Sequence, residues 1–380
     1  MPSVPLRTLA REWTRIGLIG FGGPPAHVAL FRELTVDRRG WIDAETFTDA
    51  NAACSLLPGP ASTQLAILLA YRLGGPAGAL AGGLGFIGPA VAAVLLLSVL
   101  VLGASPPVWV RGAGAGAGAA VAAVALHAAR GLLGPSWRAA GTGLRRRRWR
   151  WVLYVAAGAA GAILTGPYLV LVLLGCGLSE LRAQGHGRWP AGVAVGLPPA
   201  VAGGGAAAIA WTALKVGALS FGGGFVIIPL MQGDAVHVHH WMTAQRFLDA
   251  VALGQITPGP VVATVAAVGY AAGGVAGGLL AAAVAFAPSF GFVLAGGSHF
   301  ERLRRGLGPR AFLDGAGPAA IGAILGAAVL LAAALSPLWQ FVILAAAAVA
   351  LLLGRRGVVL TLVAAAAAGA VVALAGGPLS

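Results

Sequence analysis

One stretch of this chain occurs twice. Phe21-Gly22-Gly23, Trp41, Phe47, Asp49-Ala50 and Pro58-Gly59-Pro60 return as Phe221-Gly222-Gly223, Trp241, Phe247, Asp249-Ala250 and Pro258-Gly259-Pro260, each pair 200 residues apart. A constant offset means that no insertion or deletion separates the landmarks. The chain is therefore an internal duplication, and its fold must be assembled from two copies of one unit.

Both ends of the repeated stretch carry helix breakers inside apolar sequence. Proline cannot donate a backbone hydrogen bond, and clustered glycine frees the backbone. The chain is 58% hydrophobic and 9% charged, with a mean hydropathy of +0.88. Soluble domains carry roughly 25% charged residues, so an all-α polytopic membrane protein is expected. In lipid, broken backbone survives only where protein buries it or a polar cavity receives it. Paired breaks at matching places in two halves point to a transporter binding site. The net charge of +14 suggests no nucleic acid, because the arginines fall in short clusters between apolar runs, as in cytoplasmic loops.

Six apolar segments are expected in the first half, at 16–34, 47–73, 76–102, 112–134, 151–165 and 168–181. The second half repeats them at 211–231, 245–270, 273–297, 315–335, 337–353 and 357–376. Residues 191–210 carry no charge and are long enough to cross alone. This divides the chain into a first repeat (1–190), a linking segment (191–210) and a second repeat (211–380). An odd count before the second repeat turns it over, predicting two homologous repeats in inverted topology. Loop charges agree: Arg145 to Arg148 and Arg150 follow the fourth segment of half one, whereas Arg302, Arg304, Arg305 and Arg310 follow the third of half two. About thirteen transmembrane segments follow, with the N-terminus inside and the C-terminus outside. The loop at 35–44 violates the count, since Arg38 and Arg39 then lie outside. Re-entrant segments would change the number of crossings by one or two. No removable signal peptide is expected.

Cations inside apolar segments are costly and rarely idle. Lys215 and Arg15 each precede a Phe-Gly-Gly turn by six residues, either snorkelling to an interface or attracting an anion. The turns Phe21-Gly22-Gly23 and Phe221-Gly222-Gly223-Gly224 expose N–H groups, and a helix N-terminus adds partial positive charge. Pro58-Gly59-Pro60 and Pro258-Gly259-Pro260 do the same, with Ser62, Thr63, Gln64, Gln255, Thr257 and Thr264 as neighbouring polar groups. Asp49 and Asp249 stand nine residues before these breaks, roughly 13 Å along a helix, and suit either proton coupling or a segment's aqueous end. His237, His239 and His240 lack a completing ligand group, so no metal is expected. Cys54 and Cys176 read as packing residues, and Trp41 and Trp241 as interfacial anchors. Glycines 74, 78 and 82, 274 and 278, and 114 and 118 read as helix packing. No cofactor, nucleotide or nucleophilic motif appears, and an enzyme is not expected.

The doubled Phe-Gly-Gly, Trp and Pro-Gly-Pro pattern, followed by Tyr71-x-x-Gly74-Gly75-x-Ala77-Gly78 and Tyr270-x-x-Gly273-Gly274-x-Ala276-Gly277, resembles the chromate ion transporter family in its long two-domain form. The resemblance covers both repeats. It implies a multi-pass protein of the bacterial inner membrane that exports chromate, a tetrahedral dianion like sulfate, using ion gradients or membrane potential. It also implies that the matching positions, Lys215 with Arg15 and the two pairs of breaks, form the pathway. Transport of sulfate or another oxyanion on the same fold is the alternative. A membrane-embedded lipid-phosphate enzyme would need acidic or histidine clusters that the sequence lacks. The coupling ion is unassigned, and a homodimer is left open.

Overall fold

The computed structural model describes residues 3–56, 59–103, 105–141, 145–185, 205–220, 226–296 and 307–378. Pro58, Phe221, Gly222, Gly223, Gly224, Arg188, Arg302, Arg304, Arg305 and most of 191–210 lie outside the described residues. All regular structure among the described residues is helical. Half one contains α1 (Leu6–Ile19), α2 (Pro24–Arg32) continued by a π-helical stretch (Glu33–Arg38), α3 (Ala44–Leu56), α4 (Ala61–Val101), α5 (Val108–Ala139), α6 (Arg145–Leu164) and α7 (Leu169–Ala183). Half two contains α8 (Ala206–Leu219), α9 (Ile227–Gln232) with its own π-helical stretch (Gly233–Val238), α10 (Ala244–Ile256), α11 (Thr264–Gly296), α12 (Leu307–Ala333), α13 (Leu338–Leu352) and α14 (Val358–Leu374). Elements α1, α3 and the π stretch recur in half two at the sequence offset of 200. The duplicated sequence is thus a duplicated structure.

Helix α4 is two helices joined by a reversal. Gly74 and Gly75 leave helical geometry, Gly75 at φ +63°, a conformation that costs glycine little. Beyond the turn, Gly78 and Gly82 lie against Ala70, so residues 61–73 and 76–101 run side by side in opposite directions. Gly273 and Gly274 reverse α11 in the same way, with Gly277 against Gly269. The four-residue glycine spacing lets the arms of one hairpin touch.

The two preceding segments also double back. The Val4 N–H donates to Leu73 O at 3.0 Å and the Trp13 indole to Ala66 O at 2.8 Å, setting α1 beside the first arm of α4. The chain turns at Gly20–Gly23, where Gly22 and Gly23 have φ of +100° and +74°. It then returns along α1, placing Phe31 5.4 Å from Trp13 and Arg39 2.8 Å from Glu12. Helix α3 begins level with Arg72, whose guanidinium donates to Thr46 O at 3.2 Å, and reverses near Gly59, at φ +117°. The segments read as full crossings at 16–34 and 47–73 are therefore hairpins. Sequence marks where their helices break; which way the chain leaves each break depends on tertiary packing.

The repeats interlock. Gly83 lies against Phe290 and Gly278 against Leu95, so the second arms of α4 and α11, which are repeat equivalents, pack antiparallel. Gly112 meets Ala373 while Gly116 meets Ala365, so α14 runs antiparallel to α5. Helix α12 packs on α6 through Gly158 and Gly322 and on α7 through Gly315. Small residues permit these close approaches where lipid offers no competing hydrophobic drive.

Candidate functional site

The hairpin tips meet at the boundary between the repeats. The Gly259 N–H of half two donates to Gly20 O of half one at 2.9 Å. Gly259 also sits beside Ala90 and the carbonyl of Gly17, and Gly59 sits beside the carbonyl of Gly217. The pairs 59 with 217 and 259 with 17 exchange under the 200-residue offset, so they are the two halves of one pseudo-twofold contact. Gly259 holds φ +96°, and a side chain there would strike Ala90. Glycine is required for both reasons.

The sequence did not single out His27, which buttresses this contact. Its ring is fully buried, with Nε2 2.9 Å from Gly20 O and Nδ1 3.2 Å from Ser62 Oγ. A carbonyl only accepts, so Nε2 carries the proton and Nδ1 accepts from Ser62. Gly20 O therefore receives two donors, His27 and Gly259, one from each repeat. The signal was present as a histidine four residues past a Phe-Gly-Gly break.

The polar neighbours divide. Thr257 and Thr264 hydroxyls bond back to Leu253 O and Val261 O, satisfying their own helix ends. Thr63 Oγ1, Ser220 Oγ and Gln255 Nε2 are buried without a partner among the described residues. Each lies within a few residues of a tip, and an unsatisfied buried group costs about 1–3 kcal/mol. The tip region thus concentrates polar atoms that suit a polar ligand. Phe21 is 44% exposed at its tip.

Lys215 and Arg15, equivalent in sequence, differ in setting. Arg15 is exposed on α1. Lys215 is buried, ion-paired to Asp234 at 2.5 Å and 5.7 Å from the Trp211 ring centroid. Its charge is already balanced by the carboxylate at the second residue of the π stretch. Half one ties the same two elements with reversed charge, Glu12 on α1 to Arg39 after the π stretch.

Asp49 and Asp249 stand away from the tips. Asp249 on α10 faces Gly114 and Gly118 of α5, whose missing side chains make room for it, and Gln245 lies 3.5 Å away. Asp49 is half-buried on α3. His239 stacks on Trp241 at 4.6 Å, and no metal-type cluster occurs among the described residues. Cys54 and Cys176 are buried free thiols.

Two copies of one helical unit whose interrupted hairpins meet tip to tip, in a chain with four helices long and apolar enough to cross a bilayer among its described residues, define a multi-pass membrane transporter. Sequence comparison gives it a family: the pattern described as Chromate transporter matches residues 7–181 and 207–370, and the chain belongs to that family. It is 31% identical over 345 residues to the chromate transport protein of Cupriavidus metallidurans, covering 87% of this chain and 84% of that one. It is 30% identical over 350 residues to a probable chromate transport protein of Synechococcus elongatus, covering 87% and 85%. The Pseudomonas aeruginosa chromate transport protein is 28% identical over 344 residues, covering 85% and 80%. No solved structure matches this chain. The family is one of transporters, and this chain is not an enzyme.

Proposed function

We propose that this chain is a secondary transporter that exports chromate across the bacterial inner membrane through the site where the hairpin tips meet. The observation that carries the reading is the Gly259 N–H to Gly20 O contact, which joins the broken elements of opposite repeats. Backbone N–H groups at Gly22, Gly23 and Gly59, with those of the Phe-Gly-Gly sequence of half two, replace part of the anion's hydration without a full buried charge, while the Gly259 N–H is already given to Gly20 O. Lys215 is the cation for which the anion and Asp234 compete. Asp49 and Asp249 are candidates for coupling.

The topology in this reading is an inverted repeat. Equivalent arms of α4 and α11 run antiparallel, as a twofold axis lying in the membrane plane requires. The described crossings in this reading are eight: the second arms of α4 and α11, with α5, α6, α7, α12, α13 and α14. Four re-entrant hairpins take the place of four of the crossings expected from sequence. Arg39, Arg72, Arg130, Arg147 and Arg355 then share the N-terminal end, which the positive-inside rule places in the cytoplasm. The loop at 35–44 ceases to be an exception.

The test is flux in reconstituted liposomes. Wild-type protein should move labelled chromate, and Lys215→Ala and Pro258→Ala should each lose that flux while remaining inserted. Unlabelled sulfate as competitor and an imposed pH gradient identify the true anion and the coupling ion. Wild-type flux in both variants would remove the assignment.

A further inference from the structure

Two arginines at the end opposite the N-terminus converge on one cavity. It is a half-open cleft of about 960 Å³, lined by Arg111 on α5, Arg246, Gln245 and Asp249 on α10, and Thr243 and Trp241 just before α10. A water occupies roughly 30 Å³ in the liquid, so a partly hydrated polyatomic ion fits. Three arginines at the opposite end are tied down: Arg39 to Glu12, Arg147 to Asp314 and Arg150 to Glu180, at 2.8, 3.1 and 2.7 Å. Neither Arg111 nor Arg246 is ion-paired among the described residues. Among the described residues the one side-chain bond of Arg246 is a long 3.4 Å contact to Gly103 O.

A guanidinium offers a planar fork that matches the edge of an oxyanion. Two such forks, neither within ion-pair distance of a carboxylate among the described residues, line the same space as the Asp249 carboxyl. Helix α10 leads from this space to the tip at Gly259, its thirteen residues spanning roughly 20 Å. We propose that the cavity is an oxyanion-binding vestibule, separate from the tips, in which Arg111 and Arg246 hold a tetrahedral dianion on its way between solution and the tips. Its place on the route rests on the transport reading above; its binding does not.

Equilibrium binding of labelled chromate, and separately of labelled sulfate, to the purified full-length chain tests the vestibule. Replacing both arginines, Arg111→Gln with Arg246→Gln, should weaken binding on the order of tenfold and flatten its dependence on salt. At a pH high enough to ionise this buried carboxyl, Asp249→Asn should tighten binding, because it removes the repelling charge. Arg246→Lys, which keeps the charge and loses the fork, should fall between. A purely structural arginine pair would lower the melting temperature and show no opposite effect at Asp249. Unchanged affinity in the double variant, or weaker binding in Asp249→Asn, overturns the vestibule. A wild type that binds but does not translocate sinks the transport reading and leaves the vestibule standing. Normal transport with an unchanged half-saturating concentration in the double variant does the reverse.

Discussion

The two copies of the repeated unit are not in the same state. In half two, every residue from Val226 to Ala235 is buried, and α10 buries Phe247, Leu248 and the run from Ala250 to Gly254. The equivalent stretch of half one buries only His27, Phe31, Leu34 and Thr35, and α3 only Phe47, Ala50, Ala53 and Cys54. For α10 the cause is local: it sinks against α5 at Gly114 and Gly118, and among the described residues α3 has no comparable glycine seat. A repeated pattern of landmarks thus holds one hairpin pair packed inside the molecule and the other at its margin. In the proposed mechanism that inequality is the working part, because exchanging the two conformations between inverted repeats would turn the site to the other side.

Disturbing the tips themselves should separate the repeats most sharply. Gly259→Ala forces a side chain into positive φ and against Ala90, removing the close approach to Gly20; Gly59→Ala meets chiefly the movable end of Gln64. Strain and overpacking together amount to about 2–5 kcal/mol at Gly259, so chromate flux should fall on the order of a hundredfold. At Gly59 the loss should be nearer tenfold, with both proteins inserted. Equal losses would show that the tips contribute alike and that the contrast in packing has no bearing on transport.

Next in size is the charge-reversed pair of ties. Removing one partner of a buried ion pair costs about 3–5 kcal/mol, so Lys215→Ala should markedly lower the melting temperature of the purified protein. Glu12→Gln leaves Arg39 half-exposed and should cost no more than about 1 kcal/mol. Lys215→Met combined with Asp234→Leu, which copies the Leu34 of half one, should restore stability. If flux stays lost in that stable double variant, Lys215 meets the anion; if flux returns, the pair is a structural tie and Lys215 leaves the site.

What the sequence made legible follows from what it can encode locally. The helical class, the break positions and the gap at Gly74-Gly75 between 47–73 and 76–102 are readable, since glycine and proline act within a few residues of themselves, whereas Gly273-Gly274 falls inside the expected segment 273–297 and reads as helix packing. The doubling back of 16–34 and 47–73 is not readable, because a broken helix can continue across the bilayer or return. The choice is made by distant contacts such as Arg72 to Thr46 and Phe31 to Trp13. The same limit hid the partners of Lys215 and Arg39: Asp234 and Glu12 stood in view, but only the hairpin geometry says which charge each one meets. Asp249 was marked by its recurrence, and its seat on Gly114 and Gly118 needed the fold.

The smallest effect lies at the entrance to the third helix of each unit. In half one, the Asp43 carboxylate accepts from the Thr46 backbone N–H at 2.8 Å and from its hydroxyl at 2.7 Å. In half two, Thr243 Oγ1 accepts from the Arg246 N–H at 3.3 Å. Thr46, through its backbone first and its side chain second, holds the Asp43 carboxyl below the usual carboxylate range. A lowered value in the folded state means that this cap is fully present above the unfolded carboxylate value of about 3.9. It is lost as pH falls through the lower folded value. The hydroxyl cap of half two has no such transition. Hydrogen exchange at the first-turn amides of α3, normalised to intrinsic rates, should therefore lose protection on acidification, while those of α10 do not. Asp43→Thr should abolish the difference, and loss of protection in both helices together would place the acid response outside the caps.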